Sequence, residues 1–493
     1  MIGTEPIATA VLLTAFGILL AASVALSRAS ARLGLPVALL FLLVGVLAGT
    51  EGIGHIPFDD YHFTFRLGTI ALVLILFEGG LNTSFSAVRS VLFPSAVLAT
   101  VGVMATAGLV AVAAHAIGVA WPMALLLGAI VSSTDAAAVF SVLTASGTRL
   151  RQRVGRTLEV ESGLNDPMAV ILTTALTAAL VSGHAVQPLV LAREVVRDMV
   201  VGACCGVAIA YAGRWLILRI RLPAAGLYPA FTLALACLSF GVTTLLHGSG
   251  FLAVYVTGVT LGSGTLPHAV GIRRVHDTLG WLSQVLMFLL LGLLVYPSRV
   301  WQVASVGLTL ALFLAIVARP LVTALCLAPF RYRWRESAYV GWVGLRGAVP
   351  IVLATIPVMA NVDGARQLFD IVFFIVVVGA IIPGATVPWM TRLLRVESAA
   401  PPPPKASIEI DARAPRGDEL RAYFISPHLA VAGALLSEIP FPRGAAVSML
   451  ERAGALIAPS GSLRIQPGDH VYVIAPAEQR PDVELLFGRA EEH

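Results

Sequence analysis

The chain has 493 residues, of which 57% are hydrophobic and only 12% are charged. Soluble globular proteins carry roughly twice that share of charged residues, so the composition excludes an ordinary soluble enzyme and predicts a membrane protein. The net charge of +5 is small for this length; it indicates basic cytoplasmic loops, and no nucleic-acid partner is expected.

Apolar runs recur from the N-terminus to about residue 395. Each is close to the roughly 20 residues that a helix needs to cross a bilayer, and only helices satisfy backbone hydrogen bonds within one such segment. The first run is interpreted as a spanning helix and not as a cleaved signal. The pattern predicts an all-α polytopic membrane protein with about thirteen transmembrane helices, at 5–27, 33–50, 65–84, 88–117, 120–145, 157–182, 192–218, 225–246, 250–264, 279–296, 300–328, 336–360 and 366–394.

Arginines accumulate in alternate loops. "TRLRQRVGRT" at 148–157 and "RYRWR" at 331–335 are strongly basic, whereas "HAIG" and "HGSG" between other helices carry no arginine. Because positively charged loops stay in the cytoplasm, we expect a multi-pass protein of the cell membrane with its N-terminus outside and its C-terminus inside. The exceptions to this pattern are Arg193, Arg197 and Arg299.

The composition changes near residue 396. We predict a membrane domain at 1–396, a proline-rich linker at 397–407 containing "PPPP", and a soluble domain at 408–493. In the last part, "IEIDAR", "VSMLERAG" and "HVYVIAP" alternate as short strands do, and "QPGD" is typical of a turn. These features predict a small cytoplasmic α/β C-terminal domain.

Several ionisable residues lie inside the predicted membrane helices. From the predicted topology and the helical rise, Asp135, Asp166 and Arg346 lie roughly 15 Å from the cytoplasmic helix ends, while Glu161 and Glu78 lie roughly 6–9 Å in. A charge near the bilayer centre costs several kcal/mol and is retained where it has a role. The level shared by these side chains therefore predicts a site for something charged.

The polar residues of the sixth predicted helix are arranged by face. Ser162 and Asp166 are four residues apart and share one face, and Glu161 and Asn165 share the neighbouring face. Pro167 removes one backbone donor and can leave a carbonyl group free.

Two predicted helices are interrupted in mid-span. Helix 5 contains "VSSTD" at 131–135, and helix 12 contains "GLRGAVP" at 344–350. They are seven helices apart in order and run in opposite directions, as in transporters with inverted repeats and crossed discontinuous helices. Carboxylates, hydroxyls and freed carbonyl groups are hard oxygen ligands suited to an alkali cation.

Purely structural interpretations stay open beside these. Asp166 could be a polar residue packed between helices, and Asp135 could cap a half-helix. Ser162 could bond to a backbone carbonyl, and Glu78 could extend toward the membrane interface.

The segments "STDAAAVFSVL", "ESGLNDPMAVILT", "HGSGFLAVYVTG" and "GLRGAVPIVLAT" resemble the monovalent cation:proton antiporters of the NhaP/NHE branch. The resemblance covers about residues 5–395 and implies a homodimer in the lipid bilayer, with inverted repeats and thirteen helices. It implies that Asp166 binds the exchanged cation and proton. It also implies that the further ligands are Asp135, Thr134, Ser162 and Glu78, that Glu161 and Arg346 form a structural ion pair, and that Asn165 supports helix 6.

The tail at 428–479 resembles a TrkA-C (RCK C-terminal) domain, most clearly in "PGD" before a strand. Antiporters joined to this domain are often potassium/proton exchangers, so the resemblance favours K⁺ over Na⁺. No glycine-rich half precedes it, so NAD is not implied. The tail's expected ligand is a nucleotide-type regulator, such as the cyclic dinucleotide of some relatives; no other cofactor is expected besides the transported cation and proton.

These features predict an antiporter, not an enzyme, that serves pH homeostasis by alternating access. Because the Asn165 amide neither titrates nor carries charge, exchange should be electroneutral. The first alternative is a Na⁺(Li⁺)/H⁺ antiporter whose tail senses a ligand. A cation channel would need a filter such as TVGYG, an aspartyl hydrolase would need a Gly-x-Gly-Asp signature, and a degenerate sensor would not need the intact charged set.

Overall fold

A computed structural model describes residues 5–33, 36–184, 187–220, 222–398, 418–488 and 490. Internal contacts divide the chain into a larger unit, Met1–Gly264 with Arg273–Ser398, and a smaller unit, Thr265–Ile272 with Ala399–His493. Most of the expected linker at 397–407 and the expected strand "IEIDAR" at 408–413 lie outside the described residues. The domain boundaries therefore stay predictions.

Within the described residues, helices form the framework of the larger unit, and the helix Ala269–Leu293 (α12) begins in residues assigned to the smaller unit. In chain order the described residues form α1 (Glu5–Leu33), α2 (Val37–Ala48), α3 (Tyr61–Asn82), α4 (Phe85–Val97), α5 (Val103–Ala116), α6 (Trp121–Val131), α7 (Ala136–Ala145), α8 (Gln152–Ser182), α9 (Pro188–Ile220), α10 (Leu227–Leu245), α11 (Gly250–Gly262), α12 (Ala269–Leu293), α13 (Pro297–Gln302), α14 (Ala304–Phe313), α15 (Arg319–Leu327), α16 (Trp334–Trp342), α17 (Ala348–Met359) and α18 (Ala365–Leu393).

The fold is the polytopic helical bundle that the sequence predicts. Within the described residues, nine helical segments are long and apolar enough to cross a membrane, and α6 with α7, bent by 44°, would make a tenth. Three shorter apolar helices, α2, α11 and α17, accompany them. All thirteen predicted ranges overlap observed helices, but the count of thirteen crossings stays a prediction.

Each of the two interrupted helices is preceded by a helix that contains a π-helical stretch. A five-residue π-helical stretch, Leu98–Gly102, joins α4 to α5, and a second, Leu314–Ala318, joins α14 to α15. Such stretches occur frequently at functional sites. Each bulged helix precedes a broken one, α6/α7 or α16/α17, so the same two-helix pattern occurs twice, as an inverted repeat requires.

Glycines bring several backbones into direct contact. A Cβ atom at Gly80 of α3 would lie 2.6 Å from the Tyr255 carbonyl oxygen of α11, and one at Gly258 would lie 2.7 Å from the Phe77 carbonyl oxygen. Any larger residue at either position would push α3 and α11 apart. This close packing of small residues is typical of membrane helices.

The smaller unit contains a four-stranded antiparallel sheet in the order β1-β4-β2-β3, made of β1 (Asp418–Phe424), β2 (Ala446–Arg452), β3 (Ala455–Ile457) and β4 (His470–Pro476), followed by α19 (Arg480–Phe487). The predicted strands at 447–454 and 470–476 are confirmed as β2 and β4. Asp469, in the predicted turn, accepts from Arg452 Nε at 2.8 Å and from the Gln466 amide at 2.7 Å. The hydrogen bond to Asp469 raises the pKa of Arg452 above its ordinary value.

Candidate functional site

The two broken helices cross at their breaks. The Asp135 amide donates to the Leu345 carbonyl oxygen at 2.7 Å, which joins the segment between α6 and α7 to the segment between α16 and α17. A Cβ atom at Gly347 would lie 2.0 Å from Asp135 Oδ2. Only glycine therefore fits at this position, and the predicted crossing of the discontinuous helices is confirmed.

Asp135 lies at the N-termini of two half-helices. Its Oδ1 accepts from the amides of Ala137 at 2.9 Å and Ala138 at 3.3 Å at the start of α7. Its Oδ2 lies against Gly347, which directly precedes α17. Since a helix N-terminus carries partial positive charge, the two amide hydrogen bonds at the start of α7 stabilise the aspartate as an anion.

Arg346 lies at the opposite ends of the paired half-helices. Its Nε donates to the Val131 carbonyl oxygen at 3.1 Å, at the end of α6, and its Nη1 donates to the Gly344 carbonyl oxygen, just beyond α16. A helix C-terminus carries partial negative charge and unpaired carbonyl groups, which a guanidinium group satisfies. One anion and one cation thus compensate the four helix ends at the crossing.

Asp166 lies on α8, beside the crossing, and is 8% exposed. The Ser133 hydroxyl, in the break after α6, donates to Asp166 Oδ1. Unlike Asp135, this carboxylate does not cap a helix, because it lies in mid-helix. No helix end compensates the negative charge of Asp166, so a bound proton or cation can neutralise this carboxylate more readily than Asp135.

The neighbouring polar residues connect α8 to the break after α6. Ser162 Oγ donates to the Thr134 carbonyl oxygen at 3.0 Å and accepts from the Ala136 amide at 3.3 Å. Asn165 Nδ2 donates to Thr134 Oγ1 at 2.6 Å. Ser162 thus bonds to a backbone carbonyl group, which lies in the break after α6 and not on α8 itself. The Ser162 hydroxyl oxygen and the two Thr134 oxygens keep lone pairs that a cation could use.

The predicted ion pair between Glu161 and Arg346 is wrong. Glu161 instead accepts from Arg319 Nη2, and the two side chains are 1% and 0% exposed. Arg346 is held by backbone carbonyl groups, whereas Arg319 begins α15 directly after the π-helical stretch and faces α8. Glu161 and Arg319 nevertheless lie close enough to Arg346 to interact with its guanidinium group electrostatically.

Glu78 lies apart from this group. It accepts from Asn82 Nδ2 near the end of α3, and a Cβ atom at Gly280 of α12 would lie 3.7 Å from its Oε2. None of the hydrogen bonds seen in the described residues joins it to Asp166. The structure therefore brings together Asp166, Asp135, Thr134, Ser162 and Asn165, and places Glu78 in different surroundings.

Two residues of the site, Arg319 and Ser133, were not predicted from the sequence. Arg319 could have been singled out, because it is a lone arginine within an apolar run. Ser133 belongs to a run of polar residues whose orientation toward Asp166 depends on how the broken helix turns, and the sequence does not specify that turn.

A helical membrane bundle with two broken helices crossing beside buried carboxylates defines a secondary transporter of the inverted-repeat class. The transmembrane sodium/hydrogen exchanger family matches residues 18–393, and the TrkA-C domain matches residues 420–488. The chain belongs to the sodium/hydrogen exchanger family.

Known relatives agree with this assignment. The chain is 38% identical over 481 residues to the K(+)/H(+) antiporter NhaP2 of Shewanella oneidensis, covering 96% of this chain and 83% of the relative. It is 42% identical over 399 residues to the K(+)/H(+) antiporter NhaP of Alkalimonas amylolytica, covering 80% and 69%. The solved sodium proton antiporter MjNhaP1 of Methanocaldococcus jannaschii has the same fold, with a TM-score of 0.65 and 23% identity over 78% of this chain and 99% of that one.

Proposed function

We propose that the protein is a secondary antiporter that exchanges one K⁺ for one H⁺ by alternating access. The observation that carries the proposal is the buried Asp166 carboxylate beside the helix crossing, bonded to a neutral hydroxyl and surrounded by further oxygen atoms. The proton and the cation compete for this carboxylate.

The charges around the crossing support one-for-one exchange. Glu161 is balanced by Arg319, and Asp135 and Arg346 compensate opposite helix ends. When all five groups are ionised, three negative charges face two positive charges, and one negative charge is left over. One proton or one monovalent cation at Asp166 neutralises the group.

This balance also explains why exchange is obligatory. Moving an uncompensated charge through the low-dielectric part of a membrane protein costs several kcal/mol. The site can therefore change sides when either the proton or the cation is bound, and not when both are absent. The cation would be held by Asp166 with the help of Asp135, Ser162 and the Thr134 carbonyl oxygen.

The choice of K⁺ rests on the relatives and on the tail. Both relatives described above are named K(+)/H(+) antiporters, and the TrkA-C domain accompanies the membrane unit here. We further propose a homodimer in the cell membrane that serves pH homeostasis, with its N-terminus outside, its C-terminus in the cytoplasm and a small anionic regulator, such as a cyclic dinucleotide, at the tail. The basic loops at 148–157 and 331–335 support this orientation.

Asp166→Asn tests the proposal. The amide keeps the shape of the side chain but neither titrates nor carries charge, so exchange should disappear while the purified variant elutes as wild type does in gel filtration. Exchange is measured in proteoliposomes with K⁺, Na⁺ or Li⁺ under an imposed pH gradient. Normal transport by a monodisperse Asp166→Asn protein would refute the assignment, and a preference for Na⁺ or Li⁺ in the wild type would refute the choice of K⁺.

A further inference from the structure

Residues 396–398, which we call the exit segment because the chain to the tail leaves through them, pair with the chain between α7 and α8. The Arg151 amide donates to the Val396 carbonyl oxygen at 3.0 Å, and the Ser398 amide donates to the Arg149 carbonyl oxygen at 2.9 Å. The two bonds form an antiparallel bridge. Among the described residues of the larger unit, this bridge is the only strand-like pairing in a helical framework. The exit segment is therefore held directly against the start of α8.

The end of α18 directs the exit segment to this place. Arg395 has a φ of +55°, in the left-handed region. The amides of Arg395 and Val396 donate to the carbonyl oxygens of Arg392 and Thr391, each at 3.1 Å. These are the bonds of a Schellman motif, which ends a helix and turns the chain away from its axis. The Val396 side chain is fully buried in the same hydrophobic cluster as Leu158 of α8, so packing holds the segment as well.

The start of α8 is also joined to the neighbouring broken helix. Arg151, the N-cap residue of α8, forms an ion pair with Glu336 of α16 at 3.7 Å. The hydroxyls of Thr157 and Tyr332 share a hydrogen bond at 2.7 Å, and the Arg153 guanidinium group lies 3.8 Å from the centroid of the Tyr332 ring. A shift at the start of α8 therefore acts on α16 and, along one continuous helix, on the turn that carries the exchanging carboxylate.

The bridge can open at small cost. It consists of two neutral backbone hydrogen bonds, which contribute little net free energy where water can replace them. Glu397, at the centre of the exit segment, is exposed. Four consecutive prolines follow in the sequence at 401–404, outside the described residues. Proline-rich spacers are stiff, so a displacement of the tail is expected to reach the exit segment.

We propose that the bridge between the exit segment and residues 149–151 is the element through which the tail controls exchange. A tail that keeps the exit segment docked restrains the start of α8, and release of the segment frees it. The inference rests on the exchange proposed above and states how the tail, which holds none of the proposed ligands, reaches the site. Because α8 carries the exchanging carboxylate, release raises the rate of exchange.

Cutting the tail from the folded protein is the first test. A recognition site for a specific protease, inserted after Ala400, lets the full chain be reconstituted before it is cut. Cleavage should raise the rate of K⁺/H⁺ exchange at least about twofold, as expected when a restraint of one or two weak hydrogen bonds is lost. An unchanged or lower rate after cleavage would overturn the proposal.

Ser398→Pro breaks the bridge in the uncut chain, because proline has no amide donor. The variant should exchange at the rate of the cleaved wild type, and cleavage should then add nothing. The matched control is Ser398→Ala, which keeps the amide and should respond to cleavage as the wild type does. A full response to cleavage in Ser398→Pro would contradict a role of the bridge.

A disulfide tests the docked state and does not depend on whether Ser398→Pro folds. Leu150 and Glu397 are opposite each other in the bridge, and the bonds are made by their neighbours. The Cα atoms of such an antiparallel pair are about 4.5 Å apart, a distance that a disulfide can span. With the native cysteines replaced by alanine, Leu150→Cys with Glu397→Cys should be insensitive to cleavage when oxidised and sensitive after reduction. A response to cleavage that persists in the oxidised protein would refute the control element.

Hydrogen–deuterium exchange separates this inference from the exchange of ions. Cleavage and Ser398→Pro should each raise deuterium uptake in the peptide 149–158, since the Arg151 amide loses its acceptor, and should leave α10 unchanged. Unaltered uptake in 149–158 would overturn the bridge as the tail's point of action. If the wild type does not exchange K⁺ for H⁺ but this pattern holds, the coupling of the tail to α8 stands and the proposed function fails.

Discussion

At the scale of single residues, the buried ion pair of Glu161 and Arg319 sets the net charge of the site, because Arg319 balances Glu161. Both side chains are almost fully enclosed, and Glu161 Oε2 and Arg319 Nη1 have no hydrogen-bond partner among the described residues. Burying two charges costs several kcal/mol per ion, which an incompletely satisfied pair does not fully recover. The pair therefore fixes the electrostatics beside Asp166 more than it stabilises the fold.

Arg319→Ala should lower the free energy of unfolding by about 3–5 kcal/mol, because it leaves Glu161 buried without its counter-charge. Denaturation of the detergent-solubilised protein measures the loss. The matched control is the double variant Glu161→Leu with Arg319→Leu, which removes both charges and should recover most of the stability. Arg319→Ala with wild-type stability would show that the ion pair is not needed to compensate Glu161.

The sequence alone placed the important charges but not their partners. Asp135, Asp166 and Arg346 could be singled out because an ionisable residue in an apolar helix is costly. Which arginine faces Glu161 depends on the rotation of α15 after its π-helical stretch. That stretch shifts every later side chain around the helix axis, and the apolar residues Leu314–Ala318 carry no pattern that would reveal it.

At the scale of elements, the crossing is held by complementary helix ends. Asp135 lies at two half-helix N-termini and Arg346 at two half-helix C-termini, so each charged residue serves both repeats. The crossing could be predicted from serines, glycines and a proline in mid-span. The contact between Asp135 and Gly347 could not, since residues more than 200 positions apart in sequence form it.

Gly347→Ala should abolish exchange. The new Cβ atom would lie 2.0 Å from Asp135 Oδ2, so the breaks must separate and the cap of α7 must shift. Exchange in proteoliposomes and Tm in detergent are the measurements. The matched control is Gly379→Ala in α18, where a Cβ atom meets nothing within 4 Å, and it should transport normally. Equal transport by both variants would contradict the close crossing.

At the scale of the whole molecule, the membrane unit holds every residue assigned to exchange, and the tail holds none. The tail's β2 and β4 were predictable from alternating residues, and its matched domain covers residues 420–488. Its β1 was not predicted, because "DELRAYF" begins with charged residues and lacks clear alternation. The helical segments of the membrane unit were predictable because lipid enforces long apolar runs, whereas the number of crossings stays a prediction.

Removal of residues 400–493 should leave K⁺/H⁺ exchange in place and change its regulation, since none of the proposed ligands lies in that part. The measurement compares the rate and the pH dependence of exchange by truncated and full-length protein reconstituted at equal density. Loss of all transport by a truncated protein that remains folded and monodisperse would show that the tail is part of the transport machinery.

The central claim is that Asp166 is the one exchanging carboxylate, so that one cation moves against one proton. Its most direct test is the equilibrium K⁺ ratio in proteoliposomes under a fixed pH gradient, clamped at zero and at about 100 mV. Each net charge moved per cycle would be worth ~2.3 kcal/mol at that potential. The charge balance around the crossing predicts the same K⁺ ratio at both potentials. A ratio that shifts with the potential would contradict one-for-one exchange and require a second titrating group.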